Sequence, residues 1–171
     1  DAIAARAYGE GLPEGIESGL ESTEFFRPPA LVYPFGAHVA VVELDRDTGH
    51  VTVRDFISVD DCGVRISPTL VTGQVHGGLA QGIAQALIEE LVYGSDGQLV
   101  TGTLMDYALP KADGIPSFEI GHLETPSRAM PGGVKGMGEG GTIGAPAAIA
   151  NAVADAVAPF GITITRLPIV A

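Results

Sequence analysis

Residues 68–93 read PTLVTGQVHGGLAQGIAQALIEELVY, and this stretch fixes the reading of everything around it. Pro68 suits the first turn of a helix with Ser67 as N-cap, and the pattern to Tyr93 is helical. At 100° per residue Leu79, Ile83, Leu87 and Leu91 fall on one side with Ala80 and Ala84 beside them. Gln74, Gly77, Gly78, Gln81 and Gln85 fall on the other. Glycine inside a helix costs about 1 kcal/mol relative to alanine, yet Gly73, Gly77, Gly78 and Gly82 all lie in the first part of this one. Such a face implies close approach to the backbone by another chain segment or by a ligand.

Upstream, 38–44 (HVAVVEL) and 51–59 (VTVRDFISV) are β-rich runs joined by 45–50 (DRDTGH). Turn-forming aspartates and Gly49 make a β-hairpin the natural reading. Both alternate sets of the first run are mostly apolar, which predicts a strand covered on both faces. Residues 1–36 carry Pro13, Pro28, Pro29 and Pro34, recurrent glutamates and no sustained period, so they read as an N-terminal arm before a domain over 37–171. Downstream come a turn at 94–97, a short strand near Leu99 and Val100, and a strand from Ser117 to Glu124. A second helix follows from about Ala145 to Ala158, with Pro146 in its first turn and Ile149, Val153 and Val157 on one face, and a last strand runs over 162–165. Because helices and strands do not alternate regularly, the fold class is α+β: a hairpin, a mixed sheet and two main helices.

Composition narrows the field. Acids outnumber bases 21 to 9 in 171 residues, a formal charge of −12, which disfavours nucleic acid and anionic membranes as partners. Apolar residues make up 46% and charged residues 18%, so the chain is not disordered. No run approaches the roughly 18 consecutive apolar residues of a membrane span. The single cysteine, Cys62, excludes an internal disulfide and fits a reducing compartment, hence the cytoplasm. The chain starts at Asp1, as expected of a processed product or a fragment.

Residues 125–144 read TPSRAMPGGVKGMGEGGTIG, with seven glycines leading into a helix start. Freed backbone N–H groups and the helix end favour an anion or polar ligand, and Arg128 and Lys135 add positive charge. Glu139 is the only acid there. Flanked by glycines, it is either a base that reaches a dry shared space or an exposed loop glutamate. Gly136, Gly138 and Gly141 spell G-x-G-x-x-G, but no strand runs into the first glycine and no acid closes a following strand, so a dinucleotide fold is rejected. Gln74 either reads a heterocycle edge or pairs with backbone. His76 is as well explained by a hydrogen-bonded core histidine as by a ligand contact. His38, His50 and His122 lack metal-ligand spacing, and Cys62 reads as a buried structural thiol.

Taken together, 60–63 (DDCG), 73–82 (GQVHGGLAQG), and 133–141 (GVKGMGEGG) before 145–148 (APAA) resemble the molybdenum hydroxylases of the xanthine dehydrogenase and aldehyde oxidase family, most of all the large subunits of the aerobic carbon monoxide dehydrogenase kind. The resemblance runs from about Pro28 to the end. It implies the C-terminal part of a molybdopterin-binding large subunit several times longer. It further implies molybdenum held by a pterin dinucleotide, in bacteria usually the cytosine form, with FAD and 2Fe-2S groups on partner subunits. A family glutamate matching Glu139 takes the proton of a hydroxyl at the metal, hydride passes to sulfide, and water supplies the oxygen. A glutamine matching Gln74 hydrogen-bonds the pterin, and positions matching Lys135, Gly136 and Gly138 line the cofactor. The upstream pterin-binding segments are missing, and Cys62 does not match the copper-bearing cysteine of carbon monoxide dehydrogenases. The expected reaction is water-derived hydroxylation of an aldehyde, an N-heterocycle or a CO-like substrate, with the isolated chain inactive and an apolar surface left bare. The alternative is a non-catalytic assembly module of the same fold.

Overall fold

A computed structural model describes residues 2–9 and 12–170. The elements are α1 (Ala2–Tyr8), β1 (Phe35–Leu44), β2 (Val51–Asp61), α2 (Pro68–Leu87), β3 (Phe118–Leu123), α3 (Gly140–Ile143) and α4 (Ala145–Val157). The strands form one mixed sheet in the order β1-β2-β3, antiparallel between β1 and β2 and parallel between β2 and β3. The α+β class therefore holds. Residues 12–34 carry no helix or strand.

The hairpin closes as its sequence directs. Asp45 Oδ1 accepts from the N–H groups of Asp47 and Thr48, at 2.9 and 3.1 Å. Gly49 takes φ 74°, a left-handed conformation costly for any residue with a Cβ, and donates to the Asp45 carbonyl at 2.8 Å. A register shift between Val41 and Val42 bends β1.

Both long helices cover one face of the sheet. Phe56 from β2, Val75, Leu79 and Ile83 from α2, and Ile149 and Val153 from α4 are the buried centre. At roughly 1.5–3 kcal/mol per buried large apolar side chain, this cluster is the main source of stability. Ala40, Val42 and Leu44 from β1 and Phe118 and Ile120 from β3 pack around it.

Four sequence expectations change here. First, β1 is covered on one face only. Val39 and Val41 are 55% and 45% exposed, because both helices lie on the other side of the sheet. Second, α2 ends at Leu87 and not at Tyr93. Tertiary partners take over its last turn: Ile169 N–H donates to the Ala86 carbonyl at 2.7 Å, and residues 92–100 fold back round the Gly94–Gly97 turn, with Val100 N–H on the Val92 carbonyl at 2.8 Å. Leu91, placed on the apolar stripe by periodicity, is consequently exposed. Third, the strand near Leu99 shrinks to a single bridge with Tyr93. Fourth, residues 162–165 pair with no strand among the described residues. Their alternation presses Ile164 towards the core without a ladder partner.

The helix expected from Ala145 forms with its predicted inner face. Its approach is broken, however, into the four-residue α3, Gly144 and then α4. Pro146 has no N–H to continue the ladder. Taken as one run, Gly140–Phe160 is long and apolar enough to cross a bilayer by length and composition. In this chain Ile149, Val153 and Val157 face the sheet and α2.

Candidate functional site

The glycines sort into two groups according to what a Cβ would meet. Gly78 and Gly82 of α2 are spent on internal packing. A Cβ on Gly78 would stand 2.8 Å from the Thr142 nitrogen, and one on Gly82 would stand 2.4 Å from the Ala145 Cβ. Reciprocally, Gly141 lies against the α2 backbone, where its Cβ would be 2.6 Å from the Val75 carbonyl oxygen. The α2 glycine face thus has a cover within the chain, contrary to the expectation that it lay bare. The cover is partial. Gly73 and Gly77, one turn apart, would project a Cβ into open space, as would Gly136 and Gly138 on the loop.

Gln74 joins the two open pairs. Its Nε2 donates a long hydrogen bond, 3.5 Å, to the Gly138 carbonyl across 64 residues of sequence. Of its two sequence readings, the backbone partner is the one seen here. Glu139 follows as the N-cap residue of α3 and is exposed. Its carbonyl accepts from Thr142 and Ile143, while its carboxylate has no hydrogen bond or ion pair among the described residues. The site therefore presents a free, exposed carboxylate beside backbone that carries no Cβ.

Lys135 sits differently. Its Nζ lies 3.1 Å from Asp61 Oδ1, with side-chain exposures of 10% and 0%, and 4.5 Å from the centre of the Phe35 ring. Its charge is therefore committed within the chain. Gly133, at φ 71°, places its carbonyl to accept from Val64 and Ser127, and Lys135 N–H donates to the Cys62 carbonyl at 2.8 Å. The loop is stitched to the chain that leaves β2.

Sequence reasoning gave no role to Asp60 and Asp61, although two adjacent acids ending an apolar strand signalled a need for partners on both faces. Asp60 accepts from Ser58 Oγ and from His38 Nε2, the latter at 3.3 Å. Burial alone would raise its pKa, but these donors outweigh burial and hold the carboxyl below the ordinary range. The Asp61 carboxyl is likewise raised by burial and more than compensated by its polar neighbours Thr125, Gly63 N–H and Lys135. His122 lies opposite Asp60 in the β2–β3 register. Burial, reinforced by Arg65, pushes its pKa down. His76 is exposed and meets the Phe118 ring edge-on at 5.5 Å, so it is neither a core residue nor hydrogen-bonded among the described residues. Cys62 is a buried free thiol whose pKa is raised by that burial.

Residues 1–116 match the family described as molybdopterin cofactor-binding domain. The chain belongs to that family. The chain is 49% identical to the nicotine 6-hydroxylase large subunit of Paenarthrobacter nicotinovorans over 91% of its own length and 19% of the relative's. It is 43% identical to the carbon monoxide dehydrogenase large chain of Hydrogenophaga pseudoflava, over 97% and 20%. Its fold superposes on quinoline 2-oxidoreductase from Pseudomonas putida 86 with a TM-score of 0.85 at 48% identity, covering 92% of this chain and 20% of that one. The Cu,Mo-CO dehydrogenase gives the same score at 38% identity. The chain spans about a fifth of the length of these relatives. The glycine loop lies beyond the family match but inside alignments that cover nearly the whole chain.

The open glycines test whether the residues fit a pterin. A flat polar heterocycle needs backbone approach without Cβ atoms and an amide at its edge. Gly73, Gly77, Gly136, Gly138 and Gln74 supply both.

Proposed function

We propose that this chain is part of the large subunit of a molybdenum hydroxylase, closing one side of a molybdopterin cytosine dinucleotide site, with Glu139 as general base. One observation carries the reading. The sole acid of the glycine loop is unpartnered and stands next to the Gln74–Gly138 contact, where four glycines leave backbone bare. When bound, the molybdenum pterin supplies the redox chemistry that adds a water-derived oxygen to a substrate carbon. The chain's own contributions are simpler. Gln74 offers an amide edge, Gly136 and Gly138 keep the approach clear, and a Glu139 Oε holds a proton during turnover. Burial of Glu139 has to come from the rest of the subunit, so the chain alone is inactive. The relatives' names point to an N-heterocycle or CO as substrate, and the family resemblance adds an aldehyde. FAD and 2Fe-2S groups on partner subunits, within the cytoplasm, complete the reading.

A second reading, a non-catalytic assembly module, draws support from Gly78, Gly82 and Gly141, whose absent Cβ atoms internal packing explains without a ligand. The complete complex carrying Glu139→Gln separates the two, assayed with nicotine, quinoline and carbon monoxide. Retained molybdenum with turnover reduced on the order of 100- to 10,000-fold supports the base. Unchanged turnover removes Glu139 from that role.

A further inference from the structure

We infer that Asp60 and Asp61 are positioning residues that grip the Glu139 loop from opposite faces of the sheet. The inference rests on the proposed role of Glu139 and concerns what holds that carboxylate in place. Strand alternation sends consecutive side chains to opposite sides, and here both are charged and buried at the end of β2. Asp61 Oδ1 accepts from Gly63 N–H at 2.8 Å and from Lys135 Nζ at 3.1 Å, which fixes the loop four residues before Glu139. A bridge between Gly63 and Val134 and the Val64 N–H on the Gly133 carbonyl align the backbone around that ion pair.

Asp60 acts on the far side of the glutamate. A Cβ on Gly140 would meet the Met137 side chain first, its Cε at 2.5 Å, with Asp60 Oδ1 behind at 4.0 Å. The partner of Asp60, His38, presses on Gly144, whose Cβ would be 2.8 Å from the imidazole Nδ1. His38, Asp60, Gly140 and Gly144 line a cavity of about 290 Å³. Glu139 is thus bracketed, upstream by Lys135 on Asp61 and downstream by Gly144 against His38, which Asp60 holds.

The energetics argue for placement over bulk stability. Two ionised carboxylates out of water are expensive, and apolar residues of similar volume often stabilise as well or better. The site even leaves Asp61 Oδ2 and His38 Nδ1 buried without partners. What charges add over apolar contacts is a defined geometry. A glycine loop, with the greatest backbone freedom, is where that is needed most.

The test uses the complete large subunit in its complex, with Lys135→Met, which deletes the ammonium and its contacts with Asp61 and the Phe35 ring but keeps an apolar stem, and with Asp61→Asn. Hydrogen exchange of amides 133–141 should rise at least about tenfold, with hairpin amides 39–57 unchanged as an internal control. Molybdenum content should hold, and kcat should fall with KM within about twofold for whichever of nicotine, quinoline or carbon monoxide the enzyme turns over. Should Lys135→Met fail to fold, Asp61→Asn carries the same comparison, because its amide oxygen still receives Gly63 N–H. Unchanged exchange over 133–141, or loosening that spreads equally to the hairpin, overturns the grip. If the loop loosens as expected but Glu139→Gln leaves turnover intact, the grip stands and the base assignment falls, so the two failures are distinguishable.

Discussion

Glycine 77 and glycine 82 are five residues apart on the same helix, and their backbones are equally helical. They differ only in what lies outside. Nothing stands where a Gly77 Cβ would go, whereas a Gly82 Cβ would be 2.4 Å from the Ala145 Cβ. Gly77→Ala should therefore stabilise the chain by about 0.5–1 kcal/mol through helix propensity alone. Gly82→Ala should destabilise it by about 1–3 kcal/mol, since α4 has to move. Urea titration of both variants checks the sign, and a stabilised Gly82→Ala would show that the α2–α4 contact is looser than described. In the complete subunit Gly77→Ala should also lower the molybdenum content. Full loading of that variant would argue that the open face meets no ligand. The sequence exposed the glycine surplus of α2 but not this division, because whether a missing Cβ is filled depends on α3 and α4, more than 50 residues away.

At the scale of elements, the end of the sheet concentrates titrating groups, and their shifts predict how acid acts. His122 on β3 has its pKa pushed below 6.5 by burial, so the unfolded chain takes up that proton first, and stability falls as pH drops from 6.5 towards the folded value. Asp60 and Asp61 on β2 are held below 3.8 by their donors despite burial. Their contribution is complete above 3.8 and is lost as pH falls through the lower folded values. Urea midpoints should therefore decline in two stages on acidification, and His122→Gln should erase the upper one. A midpoint that holds or rises between about pH 7 and pH 5 contradicts the first stage. None of this was legible in single residues. His38 and Asp60 are 22 positions apart, Asp60 and His122 are 62 apart, and only strand register makes them neighbours.

For the whole molecule, the imbalance between its two sides is the dominant feature. Two helices cover one face of a three-stranded sheet, and the other presents Val39 and Val41 with Leu123 near its edge. Phe25, Phe26, Leu31 and Tyr33 of the segment before β1 are more than half exposed as well. The chain spans about a fifth of its relatives' length, and apolar patches of this kind drive association when left open. The isolated 171-residue chain should self-associate with rising concentration in sedimentation velocity, and Val39→Lys together with Val41→Lys should weaken it. A monomer at every concentration would refute the prediction.

By itself the sequence determined the local periodic features: the hairpin with Gly49 at its turn, the apolar stripes of α2 and α4, and the acid-poor glycine loop with Glu139 as its one carboxylate. Each is written in spacings of a few residues, which the 3.6 and 2.0 periods of backbone geometry make readable. Only the tertiary structure decided where α2 stops, which glycines are filled, that Lys135 spends its charge on Asp61, and that Gln74 reaches Gly138. Those outcomes depend on contacts across 63 to 83 positions, and such distances are closed by packing, which no local pattern encodes.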